Sequence, residues 1–184
     1  LVETFLETLK DDIHDMICES DHDDGNYQGL DSDRDTEAEV ETVLRLFPDV
    51  LTRRKEIVTY VYHDNDDDDD EEEEEVRSVY VYYPIQFLAV EFHADGMCCN
   101  AKAAPFIPLV ARLAIELGLF DEQQRGGLLS KGGLLSESAS HHVLHFLMSS
   151  DPIECCSQEH REHINDKYLQ VLIQLRKLGL LKKE

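Results

Sequence analysis

Apolar residues recur over the first seventeen positions at helical spacing. Val2, Phe5, Leu6, Leu9, Ile13, Met16 and Ile17 fall on one stripe, and charged residues fill the other face. That predicts an amphipathic helix ending near Cys18. The stretch ESDHDDGNYQGLDSDRDTEA then reads as an acidic loop, with Gly25, Gly29 and dense aspartate. A second stripe, Val40, Val43, Leu44 and Phe47, is closed by Pro48, which lacks an amide donor and clashes with the preceding turn. Beyond the basic step at 53–55 the period shortens. IVTYVYH (57–63) and VRSVYVYY (76–83) are rich in β-branched and aromatic residues with partial alternation, which predicts two short extended arms.

Helical spacing then returns. Pro84 suits a first helical position, and Ile85, Leu88, Ala89 and Phe92 share one face before HADGMCCNAKAA interrupts them. PFIPLVARLAIELGLF (105–120) has the strongest periodicity in the chain, through Phe106, Leu109, Val110, Leu113 and Leu117. Gly118 is placed for a left-handed cap, with Leu119 or Phe120 folding back on the last turn. A glycine-rich loop follows, with GGLLS at 126 and again at 132. Next comes a short helix in HHVLHFLMSSD, stopped by Asp151 and Pro152. After polar CCSQEHREHIN, the last predicted helix is DKYLQVLIQLRKLGLL, with Asp166 as N-cap and Gly179 as cap glycine.

Charge changes this picture by where it sits. The formal net charge is -23, yet residues 1–41 carry 15 acids against two bases and residues 64–75 carry 11 acids and no base. The rest is nearly neutral, an ordinary globular composition with two acidic excursions. A nucleic-acid backbone binder needs Lys and Arg to displace counterions, and docking on anionic membranes needs the same, so neither partner is expected. Within the second excursion, Asp66, Asp67, Asp68, Asp69, Asp70, Glu71, Glu72, Glu73, Glu74 and Glu75 are consecutive. Ten like charges inside one Debye length of about 8 Å repel, so a solvated, unstructured tip between the two arms is expected.

Five cysteines, Cys18, Cys98, Cys99, Cys155 and Cys156, are odd in number and include two vicinal pairs, unlike a secreted disulfide framework. Free thiols in a cytoplasmic or nuclear compartment are the expectation. No apolar run reaches the ~20 residues of a membrane span, and the opening residues do not read as a basic segment followed by an apolar one. The chain starts at Leu1 without Met and stops at LGLLKKE, so a longer parent chain is expected.

A repeat emerges when the helix pairs are overlaid. YPIQFLA (83–89) matches HVLHFLM (142–148) at a shift of 59, and VARLAIELGLF (110–120) matches VLIQLRKLGLL (171–181) at 61. Phe87 meets Phe146, Leu88 meets Leu147, Leu117 meets Leu178 and Gly118 meets Gly179. YPIQFLA resembles the ankyrin signature Thr-Pro-Leu-His-Leu-Ala, with Tyr83, Pro84, Ile85, Gln86, Phe87 and Leu88 on its positions. Residues 142–147 are a poorer copy that keeps His145 and lacks the proline. LVARLAIELGLF and VETVLRLFPDVLTRR resemble the second ankyrin helix. The resemblance spans about 37–181 without the acidic tip. It departs in unit length, near 60 residues rather than about 33, the surplus lying in loops 94–104, 121–141 and 150–165 and in the insertion. It implies an all-α array in which each helix pair buries a stripe that it cannot cover alone, with a hairpin finger before the short helix. The arms 57–63 and 76–83 fall where such a finger belongs. Residues 1–36 then form an N-terminal helix and acidic loop, and 37–184 the array with its insertion at 64–75.

Candidate chemistry is sparse. DSDRDTEAEVET (31–42) starts like a calcium loop but has Thr36 where glycine and Thr42 where glutamate is required. Cys155, Cys156, His160 and His163 lack the spacing of a zinc site, and His141 and His145 share a face without a third ligand. Lys131 in GLLSKGG does not complete a phosphate loop, and no nucleophile elbow occurs. No metal, cofactor or catalytic residue is expected. The expected function is non-catalytic protein–protein recognition. Its contact candidates are Tyr60, Tyr62, Tyr80 and Tyr82, since tyrosine offers large contact area at low entropy cost, together with the acids 66–75. The alternative is an acidic charge binder for basic partners or weakly held divalent cations, with the fold merely displaying the acids.

Overall fold

A computed structural model of the chain describes residues 2–19, 27–61, 76–93, 96–119, 143, 147 and 158–181. Helix α1 (Val2–Ile17) is the predicted amphipathic one. Only its second half is covered: Ile13 and Ile17 are buried and Leu9 and Met16 pack beside them, while Val2, Phe5 and Leu6 stay exposed. Helix α2 (Glu37–Leu46) starts with reciprocal capping. The Glu39 amide donates to Thr36 Oγ1 (3.3 Å), and the Thr36 amide donates to the Glu39 carboxylate (3.1 Å). Two otherwise orphaned donors are thereby satisfied. Pro48 ends α2 as expected and opens a 3-10 turn (Pro48–Thr52) that buries Val50 and Leu51.

The two arms pair as a finger. Strands β1 (Lys55–Val61) and β2 (Val76–Tyr82) are antiparallel, in register from Lys55 opposite Tyr82 to Val61 opposite Val76. The tip, with Tyr62 and all ten acids from 66 to 75, lies outside the described residues.

Beyond the finger the structure corrects two expectations. Helix α3 (Pro84–Phe87) is a single turn, starting at Pro84 as predicted but not continuing to Phe92. Val90–His93 instead forms β3, antiparallel to β4 (Gly96–Cys99). Val90 pairs with Cys99, and the Asn100 amide donates to the Ala89 carbonyl at 3.3 Å, closing the base of this second hairpin. Phe92 fits a helix face with Ile85, Leu88 and Ala89, and equally fits strand alternation with β-branched Val90, so spacing alone misassigned it. The described chain is therefore mostly helical with two two-stranded sheets, rather than all-α.

A 3-10 turn (Ala104–Phe106) leads into α4 (Ile107–Glu116), the centre of the packing. Seven of its ten residues are buried, including Ile107, Leu109, Val110 and Leu113. It packs against α2, α3 and the last helix, α5 (Gln158–Lys177), while α1 packs on α3 and the 48–52 turn. Helix α5 begins eight residues before Asp166, which is therefore not its N-cap; QEHREHIN holds no glycine or proline that would stop a helix. Tyr168, Val171 and Leu175 bury its inner face. Val143 and Leu147, one helical turn apart, are helical and buried in the same core.

The two predicted glycine caps share one geometry. Gly118 (φ 67°) donates to Ile115 O and Leu119 to Ala114 O, while Gly179 (φ 74°) donates to Arg176 O and Leu180 to Leu175 O. Both are Schellman motifs with glycine in the left-handed region. Gly118→Ala and Gly179→Ala should each lower stability by about 1 kcal/mol through backbone strain, since open space surrounds both Cβ positions. Unchanged urea midpoints would refute the motif. Leu113, fully buried in α4, tests the core. Leu113→Ala should cost about 2–5 kcal/mol in urea unfolding at constant m, and a neutral result would mean that the centre is misplaced.

Candidate functional site

The finger is held at its root by charge. The acids Glu7, Asp11 and Asp15 recur every four residues on one face of α1 and meet the basic step that opens β1. Arg53 bonds Asp11 (2.8 Å), Glu7 (3.2 Å) and Asp49 (3.4 Å), and Lys55 bonds Asp15 at 3.1 Å. Lys10 adds bridges to Glu7 (3.0 Å) and Asp49 (3.1 Å). Hydrogen bonding from Lys10, with a smaller contribution from Arg53, holds the Glu7 carboxyl below its ordinary value. Just before β1, Arg54 lies over the ring of Tyr83, the residue after β2, at 4.6 Å from its centroid and donates to the Tyr83 hydroxyl at 2.8 Å. His14 Nε2 donates to the Arg53 carbonyl at 3.2 Å. Arg53 and Lys55 thus fix the finger to α1, and Arg54 ties the start of β1 to the end of β2.

Of the four tyrosines proposed as contacts, Tyr82 is turned inward. It is buried and meets Phe87 edge-on, with ring centroids 5.9 Å apart. It belongs to the core and leaves the contact set. Tyr60 and Tyr80 lie on the strands, opposite Arg77 and Ile57. Tyr62 and the acids 66–75 fall outside the described residues.

The turn before α2 that begins like a calcium loop is organised by the protein's own cations. Asp31 Oδ1 accepts from the Asp33 amide, and Asp35 Oδ2 accepts from the Asp31 amide, both at 2.9 Å. Arg34 chelates both Asp35 oxygens at 2.8 Å and donates to Gly29 O. Hydrogen bonding from Arg34 is the main reason that the Asp35 carboxyl is lowered. Lys102 approaches Asp31 and Lys167 approaches Asp33, each at 3.7 Å. Thr42, at the position that needs a bidentate glutamate, sits inside α2 and donates to Ala38 O. No group of three potential metal ligands occurs among the described residues.

Two buried polar residues escaped the sequence reading. Asn100 donates weakly to the Phe87 carbonyl (3.5 Å) and accepts from the Ala103 amide (2.9 Å), tying the end of β4 to the turn before α4. Gln86 accepts from the Tyr83 amide at 2.9 Å and locks the entry to α3. Nothing in the spacing distinguishes either from a surface amide. Cys18 is a free thiol buried beside His14; burial pushes its pKa up to about 12, so it carries no thiolate at neutral pH. A recess of about 280 Å³ opens between the end of α1 and α2, floored by Met16, Leu30 and Val43 and rimmed by Arg34 and Glu39.

Helices α2 and α4 are joined by a four-charge lattice. Arg112 bonds Glu41 (2.8 Å) and Glu116 (3.1 Å), and Arg45 bonds Glu41 (2.8 Å) and Glu116 (2.6 Å). Glu41 meets Arg112 and Arg45 meets Glu116, both 71 positions on, so the two helices run parallel. Hydrogen bonds from Arg112 first and Arg45 second hold the Glu41 carboxyl down to about 2, against an ordinary 4.5. A depressed folded-state pKa stabilises above the unfolded value and loses that contribution as pH falls through the folded one. Tm should therefore decline between about pH 4.5 and 2, and Glu41→Gln should flatten that decline while lowering Tm at pH 7. Parallel acid curves for the two proteins would show that the lattice contributes nothing.

No family model, curated protein or solved structure matches the chain. No helix among the described residues is long and apolar enough to cross a membrane.

Proposed function

We propose that the chain is a non-catalytic protein–protein recognition module, an ankyrin-like helical array that presents the β1–β2 finger and its acidic tip to a protein partner. The observation that carries this reading is the parallel contact of α2 and α4. Consecutive helices joined by short loops run antiparallel; parallel neighbours need a returning element between them, here the finger, α3 and the second hairpin. Their spacing of 71 positions becomes 59 once the twelve residues 64–75 are left out, close to the 59 and 61 of the later sequence match. The shared glycine caps of α4 and α5 and the paired arms of the finger support the same reading. Tyr60, Tyr62, Tyr80 and the acids 66–75 remain the contact candidates, and a protein with basic surface is the partner that their chemistry fits. Neither nucleic acid nor membrane is a partner in this reading, and the cytoplasm or nucleus is its setting.

Deleting 64–75 tests it. Far-UV dichroism and Tm should be retained, because the finger is rooted at Arg53, Arg54 and Lys55 and not at its tip; loss of the fold would sink the architecture. Partner capture by the deleted chain should weaken, because the acids are among the contacts, yet persist at physiological salt through the remaining finger and the helical array. Capture that vanishes with the deletion and falls steeply with salt would instead assign the function to the charge run alone.

A further inference from the structure

The recess between the end of α1 and α2 has an apolar floor. Its volume of about 280 Å³ is just under the ~300 Å³ at which sites for small molecules begin. Met16 and Val43 are half-buried on that floor, and Leu30 beside them is buried. The wall at Leu30 is held in place from behind. The Tyr27 hydroxyl donates to the Leu30 carbonyl at 2.9 Å, and Arg34 donates to the Gly29 carbonyl. Residues 20–26, SDHDDGN, lie between α1 and this turn in the chain and contain no apolar side chain to fill the floor.

Three charged residues, Arg34, Asp35 and Glu39, line the recess, and the first two cancel. Arg34 places Nε and Nη2 on the two Asp35 oxygens, each at 2.8 Å. An anionic ligand would have to compete with that chelating carboxylate. Glu39 is left over. Its Oε2 accepts from the Thr36 amide at 3.1 Å and the Thr36 hydroxyl at 2.7 Å, and these bonds hold its carboxyl below the ordinary value, so it is ionised at neutral pH. The amino-terminal dipole of α2 offsets part of the charge. Among the described residues no cation pairs with Glu39, whereas Asp31 and Asp33 meet Lys102 and Lys167, and Glu41 meets Arg45 and Arg112. The rim thus sets one unpaired carboxylate beside an apolar floor.

We infer that the recess binds a small amphipathic cation, with a compact apolar or aromatic body on Met16, Leu30 and Val43 and a protonated amine at Glu39. The site uses neither the finger nor the acidic tip and stands independently of the recognition function proposed above.

Three indole compounds that differ mainly in charge provide the test: tryptamine (cation), tryptophol (neutral) and indolepropionate (anion). Titrated into the isotope-labelled full chain, tryptamine should give saturable shifts of the Leu30, Glu39 and Val43 amides. Tryptophol should bind the same place about fivefold more weakly, and indolepropionate more weakly still. Glu39→Gln keeps the capping pattern of α2, because glutamine serves at that position. It should bring tryptamine to the affinity of tryptophol and leave tryptophol unmoved. Equal binding of all three compounds to the wild-type chain would overturn the inference, as would tighter binding of indolepropionate, which would make Arg34 the receptor. So would a preference for tryptamine that survives Glu39→Gln, since the net charge of -23 would then be its source, or shifts that never saturate at the recess. Should that variant lose its far-UV spectrum, Val43→Phe decides. By filling the floor it must weaken all three compounds together, and unchanged binding would place the site elsewhere.

Discussion

Helix α4 cannot face water on most of its circumference. Ile107, Leu109, Val110 and Leu113 are buried together with Pro108, Ala111 and Ala114, so neighbours must cover it on several sides at once. At about 1.5–3 kcal/mol for each large side chain removed from water, this is the strongest drive in the described chain. Helix α2 covers one side, α5 another and α3 a third, and the 3-10 turn at 104–106 delivers Phe106 beneath. The polar residues of α4, Arg112 and Glu116, are the ones that meet α2. Apolar burial gathers helices around α4; the finger, α3 and the second hairpin return the chain so that α2 and α4 run in the same direction, and the charges of both helices meet in register.

Charge is otherwise managed locally. The basic residues at 53–55 are spent on α1 and Tyr83, and Lys102 and Lys167 on the aspartate turn before α2. Exposed pairs of this kind contribute little each, typically about 0–1 kcal/mol. Their effect is to fix geometry: the finger cannot swing away from α1 without breaking several bridges at once. The chain thus uses its few cations to orient elements that the apolar core alone would leave free to rotate.

Much of this was legible in the order of residues. The stripe of α1, the stop at Pro48, the paired arms, the start of α3 at Pro84 and the caps at Gly118 and Gly179 each rest on local chemistry that a short window contains. The failures share one physical cause. Phe92 satisfies helical spacing with Leu88 and Ala89 and strand spacing with Val90, and the pairing of β3 with β4, Val90 opposite Cys99, decided between them. Asp166 is a good cap in isolation, yet α5 continues through it because nothing upstream breaks the helix. Tyr82 alternates along its strand like a surface residue, but the position of Phe87 one turn into α3 makes it core.

Sequence alone established where apolar stripes, breakers and caps stand, because periodicity and the stereochemistry of glycine and proline act over a few residues. Only the folded chain decided which stripes meet, that α2 and α4 run parallel, that half of α1 stays in water, and that Asn100 and Gln86 lie inside. Those outcomes depend on partners tens of residues away, and no local window contains the partner.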